Sequence, residues 1–263
     1  MKIIDSHAHI FPGKIAEKAT NAISDFYTQP MADVGNTEKL LESGSKIGVD
    51  KYLVFSTATV AKQVKSINDF ILEEAKKHDE FIPVGTMHID YEDFEEEIER
   101  INGLGVKGIK LHPDFQKFNI DDERMYPIYE LMEKKDMFIV THSGDYRHGF
   151  SHPLRVANVA NKFKKLRIVA AHCGGWSQWD IARDCLTLPN IYVDTSSTFG
   201  FAKNEVIEKT IEAFGREKIF FGTDFPMWEH ESELKKLYEF NLKDDMMERI
   251  LYKNFADFYG LKL

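Results

Sequence analysis

The sequence predicts a (β/α)8 TIM barrel, an α/β fold in one domain over residues 1–263. Three observations carry that expectation. Short runs rich in Val, Ile, Leu and Phe recur at fairly even intervals, eight in all. Stretches with helical spacing lie between them, and no Gly/Ser linker, low-complexity segment or break in composition divides the chain. Nearly continuous apolar runs suit parallel strands buried on both faces, and eight strand–helix alternations suit a closed barrel.

In order, the strands are read at 3–9, 51–57, 81–88, 108–112, 137–142, 167–172, 191–195 and 219–224. The first connection, 11–36, is the longest; a short helix over 14–26 and a loop near Gln29 fill it. A loop after a barrel strand lies on the catalytic face, so this segment is a candidate lid. Thr37 to Ile47 reads as a helix stopped at Gly48. Ile67 to His78 puts Ile67, Phe70, Ile71 and Ala75 on one face. Tyr91 to Leu104 is so acidic that it reads as a solvated outer helix. Helices at 125–135, 153–163, 178–188, 204–214 and 232–240 continue the alternation, and 248–259 closes it. Pro153 suits a first helical turn.

Composition excludes several classes of function. The net charge is -9 with no basic run, which argues against nucleic acid and anionic membrane surfaces as partners. Cys173 and Cys185 are the only cysteines, too few for a disulfide framework or a Cys-based zinc site. No apolar run approaches the ~18 residues of a membrane span, and the N-terminus has no signal-peptide pattern. The expectation is a cytoplasmic enzyme with a small-molecule substrate. No stretch marks an interface.

The chemistry collects where the strands end. His7 and His9 close the first run, and a period of two turns both imidazoles to the same side, where they can converge on one ion. Lys110 and His112 share a side of the fourth strand; His142, His172 and Asp224 end the fifth, sixth and eighth. One histidine at a strand end is ordinarily a packed residue, as His88 is read here. Imidazoles and carboxylates recurring at one structural position are costly to bury without partners, and a divalent ion removes that cost. Arg147, in the loop after strand five, is a candidate to hold a substrate carboxylate bidentately. Thr195, Ser196 and Ser197 can orient a ligand or meet substrate. There is no Gly-x-Ser-x-Gly elbow and no nucleotide-binding glycine fingerprint.

Asp5-Ser6-His7-Ala8-His9, Lys110-Leu111-His112-Pro113, Thr141-His142-Ser143-Gly144, Ala171-His172-Cys173-Gly174 and Gly222-Thr223-Asp224-Phe225-Pro226, in that order, resemble the amidohydrolase superfamily. The resemblance is to its amidohydrolase-related branch, which holds hydrolases and aminocarboxymuconate-semialdehyde-type decarboxylases. It implies that His7, His9, His142 and Asp224 bind a metal, with Asp224 also a general base and His172 beside the reacting water or substrate oxygen. Lys110, His112 and Arg147 are assigned to substrate. That donor set suits Zn2+, and manganese, iron or cobalt accept it too. One ion is favoured; a carboxylated Lys110 would make the centre binuclear. The implied reaction is attack of metal-bound hydroxide on the carbonyl of a small amide, lactone or ester. Non-oxidative decarboxylation of a small carboxylated substrate is the alternative. Barrels of this branch also suggest a homodimer.

Overall fold

A computed structural model describes residues 1–240 and 242–262. The strands are β1 (Ile4–His9), β2 (Lys51–Phe55), β3 (Phe81–Pro83), β4 (Gly85–Thr86), β5 (Gly108–Leu111), β6 (Phe138–Thr141), β7 (Arg167–Ala170), β8 (Ile191–Asp194) and β9 (Ile219–Phe220). The first helices are α1 (Gly13–Tyr27), α2 (Thr37–Ser45), α3 (Val64–Lys77), α4 (Phe94–Gly103), α5 (Pro113–Gln116) and α6 (Tyr126–Lys134). They are followed by α7 (Pro153–Lys162), α8 (Trp179–Cys185), α9 (Asn204–Phe214), α10 (His230–Tyr238), α11 (Asp244–Glu248) and α12 (Asn254–Tyr259). β3 and β4 are one expected strand, interrupted at Val84. Pro83 explains the break, since it has no N–H to give a ladder. With that strand counted once, the alternation is that of a (β/α)8 chain. Among the described residues, no helix is long and apolar enough to cross a membrane.

The described chain falls into two compact units. One holds 1–54, 74–82 and 195–263; the other holds 55–73 and 83–194. In the first, β1, β2 and β3 form a sheet in that order, and all six residues of β1 are buried. The Asp50 amide donates to the Ile3 carbonyl at 2.8 Å, and the Tyr52 amide to that of Glu80 at 2.9 Å. Asn36 caps α2, its Oδ1 accepting from the Lys39 amide at 2.8 Å. Phe220 of β9 packs against Phe255 and Phe258 of α12, with ring centroids 5.4 and 5.2 Å apart.

The second unit is built on β4 to β8, paired parallel in sequence order. Lys110 stands opposite Val140, Thr141 opposite Ala170, and Ala170 opposite Val193. Ile109, Leu111, Ile139, Val140, Ile168, Val169 and Val193 are buried, as expected of strands covered on both faces. The acidic face of α4 is solvated, with Glu95, Glu96 and Glu99 exposed, but Glu97 is buried. Its Oε1 accepts from Asn68 Nδ2 at 2.7 Å and its carboxylate takes the Arg100 guanidinium. Asn68 also accepts from the Thr86 amide at 2.7 Å, which fastens α3 to β4.

Candidate active site

The first unit brings together three of the residues expected to hold an ion. β1 supplies His7 and His9, with ring centroids 5.4 Å apart. The segment after β9 pairs with β1: the Ser6 amide donates to the Phe221 carbonyl at 2.9 Å, the Asp224 amide to His7 at 2.9 Å, and the His9 amide to Phe225 at 2.8 Å. That register sets Asp224 against both histidines. Its Oδ1 lies 3.3 Å from His7 Nε2 and 3.4 Å from His9 Nε2. One donor atom from each residue falls within 4.8 Å of the others, and all three residues are buried. Two imidazoles and a carboxylate, buried and convergent, are donors that a first-row divalent ion accepts. Asp224 sits at φ 62°, a left-handed conformation that few non-glycine residues adopt and that clusters at functional sites.

Polar side chains back these donors. Ser196 Oγ is 3.2 Å from His7 Nδ1, and Ser197 Oγ donates to Asp224 Oδ2 at 2.5 Å. Behind β1, the fully buried Asp5 accepts from the amides of His7 and Thr223, each at 3.0 Å, and from Thr223 Oγ1 at 2.7 Å. His230 Nε2 stands 3.0 Å from Asp5 Oδ2, and its Nδ1 is 2.9 Å from Ser43 Oγ. Outer partners of this kind set ring orientation and tautomer in metal sites.

The second unit gathers His112, His142 and His172. The rings of His112 and His142 stack at 4.2 Å and 9°. His142 Nδ1 and His172 Nε2 are 2.9 Å apart, so one carries the proton and the other accepts it. His172 sits at φ 61°; its amide donates to Asp194 Oδ1 at 3.1 Å and its carbonyl accepts from Trp179 Nε1 at 3.0 Å. Lys110 is almost wholly buried, with Nζ 4.7 Å from the Phe55 ring centroid, in range for a cation–π contact.

Asp114, Asp145 and His142 form a second buried group of potential donors within 4.8 Å. Ser151 Oγ donates to Asp114 Oδ2 at 2.5 Å. Burial nevertheless raises the Asp114 carboxyl to about 6, with the Asp145 charge adding and Ser151 opposing. The Arg147 guanidinium rests on Asp145, with Nε 2.9 Å from Oδ1 and Nη2 2.8 Å from Oδ2. His88 is packed, as expected; its Nδ1 accepts from the Asp90 amide at 3.1 Å and burial lowers its pKa.

The expected residues therefore stand as two sets: His7, His9 and Asp224 in the first unit; Lys110, His112, His142 and His172 in the second. Asp114, His230 and the supporting role of Asp5 were not anticipated. Asp114 follows His112 and Pro113 closely enough for its spacing to have suggested it. His230 has no local signal, because its partner Asp5 is at the other end of the sequence.

Comparison with solved structures fixes the fold. An uncharacterised TIM-barrel protein of Bordetella bronchiseptica superposes with a TM-score of 0.79 at 19% identity, over 99% of this chain and 100% of that one. A dihydroxybenzoic acid decarboxylase of Polaromonas, bound to manganese and 2-nitroresorcinol, gives 0.77 at 14% identity over 99% and 97%. A candidate 2-pyrone-4,6-dicarboxylic acid hydrolase of Pseudomonas putida gives 0.71 at 17% identity over 99% and 98%. The fold is the (β/α)8 TIM barrel. A family model described as Amidohydrolase matches residues 4–261, nearly the whole sequence, and the chain belongs to the amidohydrolase family.

Proposed function

We propose that the protein is a metal-dependent hydrolase of a small carbonyl compound, an amide, lactone or ester. The observation that carries this reading is the convergence of His7 Nε2, His9 Nε2 and Asp224 Oδ1 in a buried place. These residues would hold one divalent ion, with His142 the fourth ligand that the sequence resemblance implies. Zinc is the ion proposed; manganese accepts the same donors and is bound in the Polaromonas structure. When bound, such an ion supplies Lewis-acid polarisation and lowers the pKa of water to about 7.

The chain's own groups supply the rest. Asp224 takes a proton at its carboxylate and returns it to the leaving group. His172 steadies charge on the substrate oxygen, and its proton shared with His142 keeps one ring nitrogen able to donate. Lys110 and His112 orient the substrate. Arg147, its fork resting on Asp145, is the candidate to meet a substrate carboxylate.

Decarboxylation is the second reading, favoured by the decarboxylase of the same fold. In that case Asp224 or His172 delivers a proton to the carbon that loses CO2. Turnover in 18O-labelled water with simultaneous CO2 detection separates the two. Label in a carboxylate product without CO2 supports hydrolysis. Release of CO2 with no label in the organic product refutes it and selects the lyase reading. Asp224→Asn abolishes either reaction; retained turnover contradicts the proton-transfer role.

A further inference from the structure

We propose that Trp228 and Ser197 are positioning residues that fix which oxygen of Asp224 faces the candidate ion; the inference rests on the metal-dependent reading above. The indole N–H can only donate. It donates to Ser197 Oγ at 2.9 Å. The single hydroxyl hydrogen of Ser197 then has two acceptors in reach, Asp224 Oδ2 at 2.5 Å and Met227 Sδ at 3.2 Å. A thioether accepts weakly, and a carboxylate accepts a shorter, charge-assisted bond, so the hydrogen goes to Oδ2. With Oδ2 engaged, Oδ1 is the oxygen turned to His7 and His9.

The direction of the chain, Trp228 to Ser197 to Asp224, is therefore set by the residue with no choice of role. The indole is itself held. A Cβ on Gly200 would stand 2.6 Å from Trp228 Cη2, so only glycine leaves room for the ring there. Phe201 meets the ring edge-on at 5.7 Å, and the Lys236 ammonium lies 4.7 Å from its centroid. Ser197 holds a left-handed φ of 47°, which aims its hydroxyl from the turn after β8. Its neighbour Ser196 addresses His7 Nδ1. The turn thus touches the outer atoms of two candidate ligands through adjacent hydroxyls.

The test uses the full chain, freed of metal by chelation and titrated with Mn2+. Ser197→Ala weakens binding about tenfold or more, the usual loss when an outer partner of a ligand is removed. Trp228→Phe, which keeps an aromatic ring and loses only the donor, weakens it several-fold. With Zn2+ in place of Mn2+, the indole N–H resonance that Trp228→Phe abolishes shifts on loading in the wild type and stays still in Ser197→Ala. Wild-type affinity in both variants with an unmoved resonance overturns the inference. Weakening in Ser197→Ala alone overturns the part assigned to the indole. Failure of the wild type to bind either ion overturns the metal-dependent reading itself, and this inference with it.

Discussion

Glu233 gives a sharp test of the electrostatics behind the candidate site. It lies on α10, fully buried. Its Oε1 accepts from Lys236 Nζ at 2.9 Å, while Oε2 is buried with no hydrogen-bond partner among the described residues. Burial pushes the carboxyl from 4.5 to about 7; Lys236 opposes the rise, and the Asp224 and Asp5 charges add to it. Below pH 4.5 the group is protonated both folded and unfolded. Above it the unfolded chain ionises first, so folding takes up a proton and stability falls as pH rises toward 7. At about 1.4 kcal/mol per pH unit, this one carboxyl removes about 3 kcal/mol across that window. Glu233→Gln keeps the shape and cannot titrate. Urea unfolding of both proteins at intervals from pH 4.5 to 8 measures the effect. The stability of the variant minus that of the wild type should grow by about 3 kcal/mol up to pH 7 and level off beyond it. A difference that stays flat, or shrinks, refutes the argument.

Further predictions follow from the second unit. Gly144 has φ 74°, and a Cβ there would stand 2.7 Å from the Gly175 backbone, which cannot swing aside. Gly144→Ala should cost about 2–4 kcal/mol from strain and overpacking together, read from the urea midpoint; an unchanged midpoint contradicts the close approach. Asn68→Ala strips the buried Thr86 amide and Glu97 of a partner and should cost about 2–4 kcal/mol, with Glu97→Gln in the same background recovering part of it. For Lys110, 13C NMR in labelled bicarbonate should show no carbamate resonance. A carbamate signal lost in Lys110→Met would overturn the one-ion centre and point to two ions.

The fold was legible because its signals are local. The apolar runs recovered every strand, and the helical spacing over 204–214 matches α9 to the residue. What escaped also has local causes. Pro83 breaks the third strand, and the one-turn α5 is too short to show a period. In α4, composition cannot reveal that the buried Glu97 pairs with Asn68, far away in sequence. His7 and His9 were visible in their spacing alone. Asp224 joins them through backbone register, which is a tertiary fact that motif order only suggested. The supports of these residues lie beyond pattern reading. Nothing near His230 announces Asp5, and nothing near Trp228 announces that its N–H reaches a carboxylate through Ser197. Nor does anything near Arg147 announce that its guanidinium rests on Asp145, two residues before it.

The most direct test of the central claim counts metal in the purified chain and in three single variants, His7→Ala, His9→Ala and Asp224→Ala, after dialysis against trace Zn2+ and Mn2+. The account predicts one ion per wild-type chain and a loss of at least about 10-fold in affinity in each variant, with all three folded by circular dichroism. A wild type that holds no ion, or variants that hold it as tightly as the wild type, would contradict the assignment of these three residues to a metal centre.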